Sequence, residues 1–343
     1  MYKQWKLSDL KDIPKNKYKV FSTFSCGGGS TMGYKLSGFD VIGINEIDPL
    51  MVKIYTSNFS PKYIFEEDIR TLYKKELPKD LYDIDILDGS PPCSVFSSAG
   101  KREKDWGKSK KFREGQAEQT LDDLYFEFIK LTDTLKPKIF ITENVKGLVM
   151  GSARGYLKEI VNKFEQIGYT TQVFLVNAAF CGVPQRRERI FIIGHRKDLL
   201  FKPLEIKPNL RPIYFHKIKT GEGILKSISP AYKKILPYTN LSDRTLAQAL
   251  LRLGKKGNYF TTILIKDNEV PPTLISGGTF IVANEKRLAS TKELQRIQSF
   301  PEDYNFVRNE SYEHIKYVLG MSVPPYMMRE VSRCVREQWL DKL

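Results

Sequence analysis

The sequence predicts an α/β protein built on a doubly wound, mostly parallel sheet, with a second, smaller domain. Three observations predict it. Strand-like apolar runs alternate with helix-spaced segments over roughly the first 195 residues. A glycine-rich turn, Phe24-Ser25-Cys26-Gly27-Gly28-Gly29, follows the first of those runs. After about Lys197 the texture changes to short β-rich pieces broken by prolines at 203, 208, 212, 230 and 237.

The elements follow in order. Strands are expected at Lys19–Thr23, Val41–Asn45, Ile84–Asp88, Ile139–Thr142, Thr171–Val176 and Ile190–Gly194. Between them, Leu121, Leu124, Tyr125, Phe128, Thr132 and Leu135 keep helical spacing, as do Tyr156, Leu157, Ile160, Val161, Phe164 and Ile167. This is the βαβ pattern, whose crossovers are right-handed. In the second region Tyr259–Ile265 is β-rich. Tyr326, Met327, Val331 and Val335 suggest a terminal helix behind Val323-Pro324-Pro325. The texture suggests a large domain up to about 195 and a smaller, irregular one after it.

Composition narrows the function. Lys and Arg number 55 against 40 Asp and Glu, a net charge of +15 that favours a polyanionic partner. Lys101–Arg113 holds seven basic and two acidic residues, and Arg196–Lys219 again seven and two. Four scattered cysteines (Cys26, Cys93, Cys181, Cys334) and three histidines (His195, His216, His314) offer no zinc-ligand spacing. No metal is expected. The polar, Lys-rich start and the lack of a long apolar run lead us to expect a cytoplasmic protein with no membrane span.

Gly89-Ser90-Pro91-Pro92-Cys93 puts a cysteine on a stiff turn directly after a strand. Reacting groups in open α/β sheets collect at that edge. The thiol reads as a nucleophile or as a small buried residue. In the glycine turn, backbone N–H groups can approach a ligand at a helix N-terminus. Glu46 closes the second strand, where a carboxylate grips a ribose diol, and Asp68 could accept from an adenine amino group. An adenosyl ligand fits, either a dinucleotide or S-adenosylmethionine. Glu143 ends an apolar strand, and Gln185, Arg187 and Arg189 share one face leading into another.

Together these residues resemble a family. Phe24 with Gly28-Gly29, Glu46, Asp68, Pro92-Cys93, Glu143-Asn144-Val145, Gln185-x-Arg187-x-Arg189, Arg296-Ile297-Gln298-Ser299-Phe300-Pro301 and Gly320-x-Ser322-Val323-Pro324-Pro325 occur in one order. That order resembles the (cytosine-5) DNA methyltransferases over 20–194 and 287–336. The family often has Gly where Cys26 stands, Gln at Ser94 and Asn at Met321.

The resemblance implies a Rossmann-like S-adenosylmethionine methyltransferase domain (1–195), a small target-recognition domain (196–309) and a C-terminal helix (310–343) that returns to the first. It implies catalytic roles for Cys93, Glu143, Arg187 and Arg189. Phe24, Gly27, Gly28, Gly29, Glu46, Ile47, Asp68, Ile69, Pro92, Ser322 and Val323 would bind the cofactor. Ser97, Lys101, Arg102, Asn144, Gln185, Gly277 and Gly278 would meet nucleic acid.

In such an enzyme the thiolate of Cys93 adds to C6 of a flipped-out cytosine in duplex DNA, and Glu143 and the arginines answer charge developing at N3 and O2. Lys101–Arg113 reads as a loop that closes over DNA. The expected partner is double-stranded DNA, bound by a monomer, with a restriction endonuclease acting separately. The alternatives are a same-family RNA cytosine-C5 methyltransferase and a catalytically silent nucleic-acid-binding module.

Overall fold

The structure is a computed structural model that describes residues 4–92, 124–151, 153–255, 257 and 259–343. The chain folds into two compact units, neither continuous in sequence. One comprises 11–177, 188–208 and 328–343, and the other 1–10, 178–187 and 209–327.

The first unit carries a seven-stranded sheet. Its strands are β1 (Lys19–Thr23), β2 (Asp40–Glu46), β3 (Tyr63–Glu66), β4 (Ile86–Gly89), β5 (Ile139–Val145), β6 (Tyr169–Asn177) and β7 (Glu188–Arg196), in the spatial order β3-β2-β1-β4-β5-β7-β6. The first five in that order are parallel; β7 runs antiparallel to both of its neighbours, β5 and β6. The mostly parallel sheet expected from the alternation is therefore present. The alternation does not predict β3: Tyr63–Glu66 is a four-residue edge strand, with only the three apolar residues Tyr63-Ile64-Phe65, and its residues alternate half-buried and exposed.

Helices α1 (Gly29–Leu36), α2 (Pro49–Thr56), α3 (Ile69–Leu72), α4 (Leu124–Leu135) and α5 (Ala153–Gln166) join the strands. In α5, Tyr156, Ile160 and Phe164 recur every four residues and are buried. The Phe164 ring stacks on Phe140 of β5 with centroids 3.7 Å apart. Phe128 of α4 joins the same core. Such burial is worth roughly 1.5–3 kcal/mol per large side chain. It fixes β4 and β5 beneath the helices and so holds the strand ends in place.

The last stretch of this unit comes from far along the chain. Ser37, after α1, donates to the Arg329 carbonyl at 2.9 Å, and Arg336 Nη1 donates to the Ser37 carbonyl at 2.7 Å. Trp339 stacks on Phe201 with centroids 5.5 Å apart and donates its indole N–H to the Lys202 carbonyl at 2.8 Å.

The second unit has helices α6 (Pro230–Ile235), α7 (Leu246–Arg252), α8 (Thr291–Ile297) and α9 (Tyr312–Met321). A three-stranded sheet joins them: β8 (Thr262–Ile265), β9 (Thr279–Val282) and β10 (Arg287–Leu288), in the order β10-β9-β8. Helix α10 (Pro325–Gln338) begins in this unit and continues in the other. Among the described residues no helix is long and apolar enough to cross a membrane, and no group of three or more His, Cys, Asp or Glu could hold a metal ion.

Candidate active site

Register places the candidate residues on one edge of the seven-stranded sheet. Phe65 pairs with Asn45, Asn45 with Thr23, Thr23 with Gly89 and Gly89 with Thr142. The chain leaves each parallel strand just beyond that row. Phe24, Asp68 and the Pro91-Pro92 turn therefore follow the carboxyl ends of parallel strands, and Glu46 and Glu143 lie in the carboxyl-terminal parts of theirs, at the edge where ligands gather in such sheets.

At the end of β1 the backbone turns sharply. Phe24 and Cys26 take positive φ of 53° and 46°, and Gly28, which caps α1, takes 73°. A Cβ at Gly28 would come within 2.8 Å of the Phe59 ring, so both the dihedral and the space demand glycine there. Glu46 braces this turn. Its Oε2 accepts from the Cys26 N–H at 2.8 Å, and its Oε1 accepts from the Ile47 and Asp48 N–H groups at 2.9 and 3.0 Å. Burial pushes the Glu46 carboxyl above its usual range, opposed by those N–H donors.

Two neighbours complete this part of the edge. Asp68 caps α3, accepting from the Arg70 N–H at 2.9 Å and pairing with the Arg70 guanidinium at 3.0 Å. Asn45, which no sequence motif singles out, donates its amide to the Phe65 and Glu67 carbonyls at 3.0 and 2.8 Å and so ties β2 to β3. The half-buried Phe24 ring, the accessible part of Glu46 and the buried Ser25 hydroxyl without a hydrogen-bond partner form a donor and acceptor set that fits an adenosyl ligand.

Beyond β4 and β5 lie the groups expected to react. Asn144 is buried and donates its amide to the Pro91 carbonyl at 3.1 Å, while its own Oδ1 accepts from the Val145 N–H at 2.8 Å. The Asn144 side chain thus holds the turn that precedes Cys93. Glu143 Oε1 lies 3.0 Å from Arg189 Nε, both side chains largely buried. That contact is an ion pair without full hydrogen-bond alignment, so Oε1 keeps hydrogen-bonding capacity. Cys93, Ser97, Lys101 and Arg102 lie outside the described residues.

The other candidates belong to the second unit. Gln185 is fully buried, donating to the Ile297 carbonyl at 3.2 Å and to Gln298 Oε1 at 2.6 Å, and accepting from the Leu274 N–H at 2.9 Å. Arg187 Nη1 donates to the Leu274 carbonyl at 3.0 Å. The segment 178–187 is thereby stitched to the 271–278 stretch, where Gly277 is exposed and Gly278 is buried beside Phe280. Ser322 is buried, its carbonyl accepting from Gln298 Nε2 at 2.6 Å, and Val323 is buried beside it.

A family profile, C-5 cytosine-specific DNA methylase, matches residues 18–336. The chain belongs to that family. It is 28% identical to type II methyltransferase M.FnuDI of Fusobacterium nucleatum, over 94% of this chain and 96% of that protein. It is 29% identical to type II methyltransferase M.NgoFVII of Neisseria gonorrhoeae, over 93% and 87%. The fold matches the S. pombe Dnmt2 methyltransferase with a TM-score of 0.62 at 15% identity, covering 93% and 98% of the two chains. As a C-5 cytosine-specific DNA methylase the chain is a DNA cytosine-5-methyltransferase, and its sheet is the methyltransferase sheet of that family.

Proposed function

We propose that this methyltransferase modifies C5 of a flipped-out cytosine in a specific duplex DNA sequence through a covalent bond between Cys93 and C6. The observation that carries the reading is the edge itself: the braced turn at Glu46, the Pro91 turn held by Asn144, and the Glu143–Arg189 pair follow adjoining strands of one sheet. S-adenosylmethionine is the proposed cofactor. When bound, it supplies a methyl group on a sulfonium, the electrophile that C5 needs.

The chain's own residues do the rest. Phe24 stacks on the adenine, Glu46 takes the ribose hydroxyls and Asp68 the amino group, with Gly27, Gly28, Gly29, Ile47, Ile69, Pro92, Ser322 and Val323 lining the site. C5 of cytosine is a weak nucleophile until a sulfur bonds to C6, and the Cys93 thiolate is soft enough both to add and to leave. Addition pushes electrons toward N3 and O2. Glu143 meets N3 and the exocyclic amine, and Arg189 with Arg187 meets O2 and holds the base. Loss of the C5 proton to a base then lets Cys93 depart.

A base inside the duplex cannot reach such a site, so extrusion is part of the reading, at a cost of a few kcal/mol. Ser97, Lys101, Arg102, Asn144 and Gln185 are assigned to the DNA side, and the stretch around Gly277 and Gly278 to sequence reading. Functionally we keep 1–195 for cofactor and catalysis, 196–309 for recognition and 310–343 as the return to the first domain. The type II names of the relatives support a restriction–modification setting in a bacterial cytoplasm, with a monomer on DNA and a separate endonuclease.

A duplex carrying 5-fluorocytosine tests the mechanism. With S-adenosylmethionine present, the unaltered protein should form a denaturation-resistant adduct and Cys93→Ser should not. No adduct with any cytosine-bearing duplex, in a protein shown to bind the cofactor, would overturn the covalent reading. Methyl incorporation into structured RNA but not DNA would overturn the substrate.

A further inference from the structure

The Asp88 carboxyl is 2% exposed at the carboxyl end of β4, in an otherwise apolar strand. Its Oδ2 accepts from the Ser22 hydroxyl at 2.6 Å and its Oδ1 from the Tyr34 hydroxyl at 3.1 Å. Its backbone carbonyl accepts from the Thr23 hydroxyl at 3.0 Å. The absence of a side chain at Gly89 permits that approach, since a Cβ there would lie 2.7 Å from Thr23 Oγ1. Ser22 and Asp88 are register partners on neighbouring parallel strands.

These three partners flank the two turns of the site. Ser22 and Thr23 lead into the Phe24–Gly29 turn, Tyr34 lies on the helix that leaves it, and Asp88 precedes the Pro91-Pro92 turn. One carboxyl therefore joins both sides of the glycine turn to the strand that delivers Cys93. We propose that Asp88 is a positioning residue that locks the cofactor turn to the nucleophile turn, and that its protonation state sets how tightly they are held. This rests on the proposed roles of the Phe24–Gly29 turn and of Cys93.

The groups facing Asp88 come from every neighbouring element. Ser22 reaches it from β1 and Tyr34 from α1; the charge of Glu143 on β5 acts on it, and its own charge acts on Tyr55 of α2. Burial raises the carboxyl to about 7, with Glu143 adding to the rise and the two hydroxyl donors opposing it. Ionised, Asp88 accepts from both hydroxyls. Protonated, it must donate one hydrogen itself, and one of the two bonds has to reverse. The lock changes character within the neutral range.

The test measures the dissociation constant for S-adenosylmethionine and single-turnover methylation from pH 5.5 to 9, alongside melting temperature. Wild type should show a transition near pH 7 in cofactor affinity or rate, and Asp88→Asn should lack it. Tyr34→Phe, a milder change that removes a single donor, should weaken cofactor binding about tenfold above that transition, as expected for loss of a hydrogen bond to a charged group. Identical pH profiles in wild type and Asp88→Asn would overturn the proposal, as would unaltered cofactor affinity in Tyr34→Phe at a temperature where both are folded. A wild-type protein that binds no S-adenosylmethionine at any pH would instead overturn the cofactor reading, and this inference with it.

Discussion

Arg189 Nε sits 3.0 Å from Glu143 Oε1, and the two residues lie on the antiparallel neighbours β7 and β5. Burial disfavours the charge on Arg189 and the Glu143 carboxylate offsets that cost. Each charge is therefore stranded without the other. Arg189→Ala should lower unfolding free energy by about 3 kcal/mol, the usual cost of leaving a buried charge unpaired. It should also slow methyl transfer on the order of 100-fold if Arg189 stabilises charge at O2. Denaturant melts and single-turnover assays read the two effects separately.

Glu143→Gln keeps the shape and removes the acid. Methyl transfer should fall on the order of 100- to 10,000-fold, the range for loss of a positioned acid–base group. Cofactor affinity should change little, which calorimetry can check.

Asn144 holds the Pro91 carbonyl from a neighbouring strand. Asn144→Ala should cost about 1 kcal/mol of stability. Its larger effect should fall on the turn before Cys93, so 5-fluorocytosine adducts should form more slowly while S-adenosylmethionine still binds. Timed gel assays of adduct formation would show it.

A methyl group at Gly28 meets both a φ of 73° and the Phe59 ring. Gly28→Ala should destabilise the protein by about 2 kcal/mol through overpacking and left-handed strain. Cofactor binding should weaken with it, because the same turn begins α1. A paired melt and binding titration would test the link.

The pH dependence of stability follows from Asp88. Its carboxyl titrates at about 7 in the folded protein, against roughly 3.9 in an unfolded chain. Between those values the folded state binds more protons, so Asp88's contribution is fully present below about pH 4 and is lost as pH rises toward 7. The loss is at most ~4 kcal/mol. Relative to wild type, Asp88→Asn should gain stability with rising pH across that window, measured by urea denaturation at several pH values.

Much of this architecture could be read from the sequence because local pattern and tertiary demand agree. Lys19–Thr23 carries β-formers Val20, Phe21 and Thr23 in an interior strand buried from Val20 onward, and its limits coincide with those expected. The edge strand Tyr63–Glu66 could not be read that way, since its apolar stretch Tyr63-Ile64-Phe65 is only three residues long and runs straight into Glu66-Glu67-Asp68. In the sequence Asp88 is simply a polar strand end. Only the convergence of Ser22 and Tyr34 shows that its carboxyl points into the protein. Gln185 shares a face with two arginines in sequence, yet its amide is saturated by Ile297, Gln298 and Leu274, partners about 90 or more residues away that no local pattern announces.

The strands of the larger sheet are complete by residue 196, but Arg329, Arg336 and Trp339 still have to pack against Ser37, Phe201 and Lys202. A ribosome delivers those residues only after the whole of 209–327. Until then a nascent chain leaves the Phe201 ring and the Lys202 carbonyl without Trp339, and every intervening segment must be threaded out before the fold can close. Closure of this unit therefore waits until Trp339 has been made, so a fragment cut short before that residue would lack the closing piece.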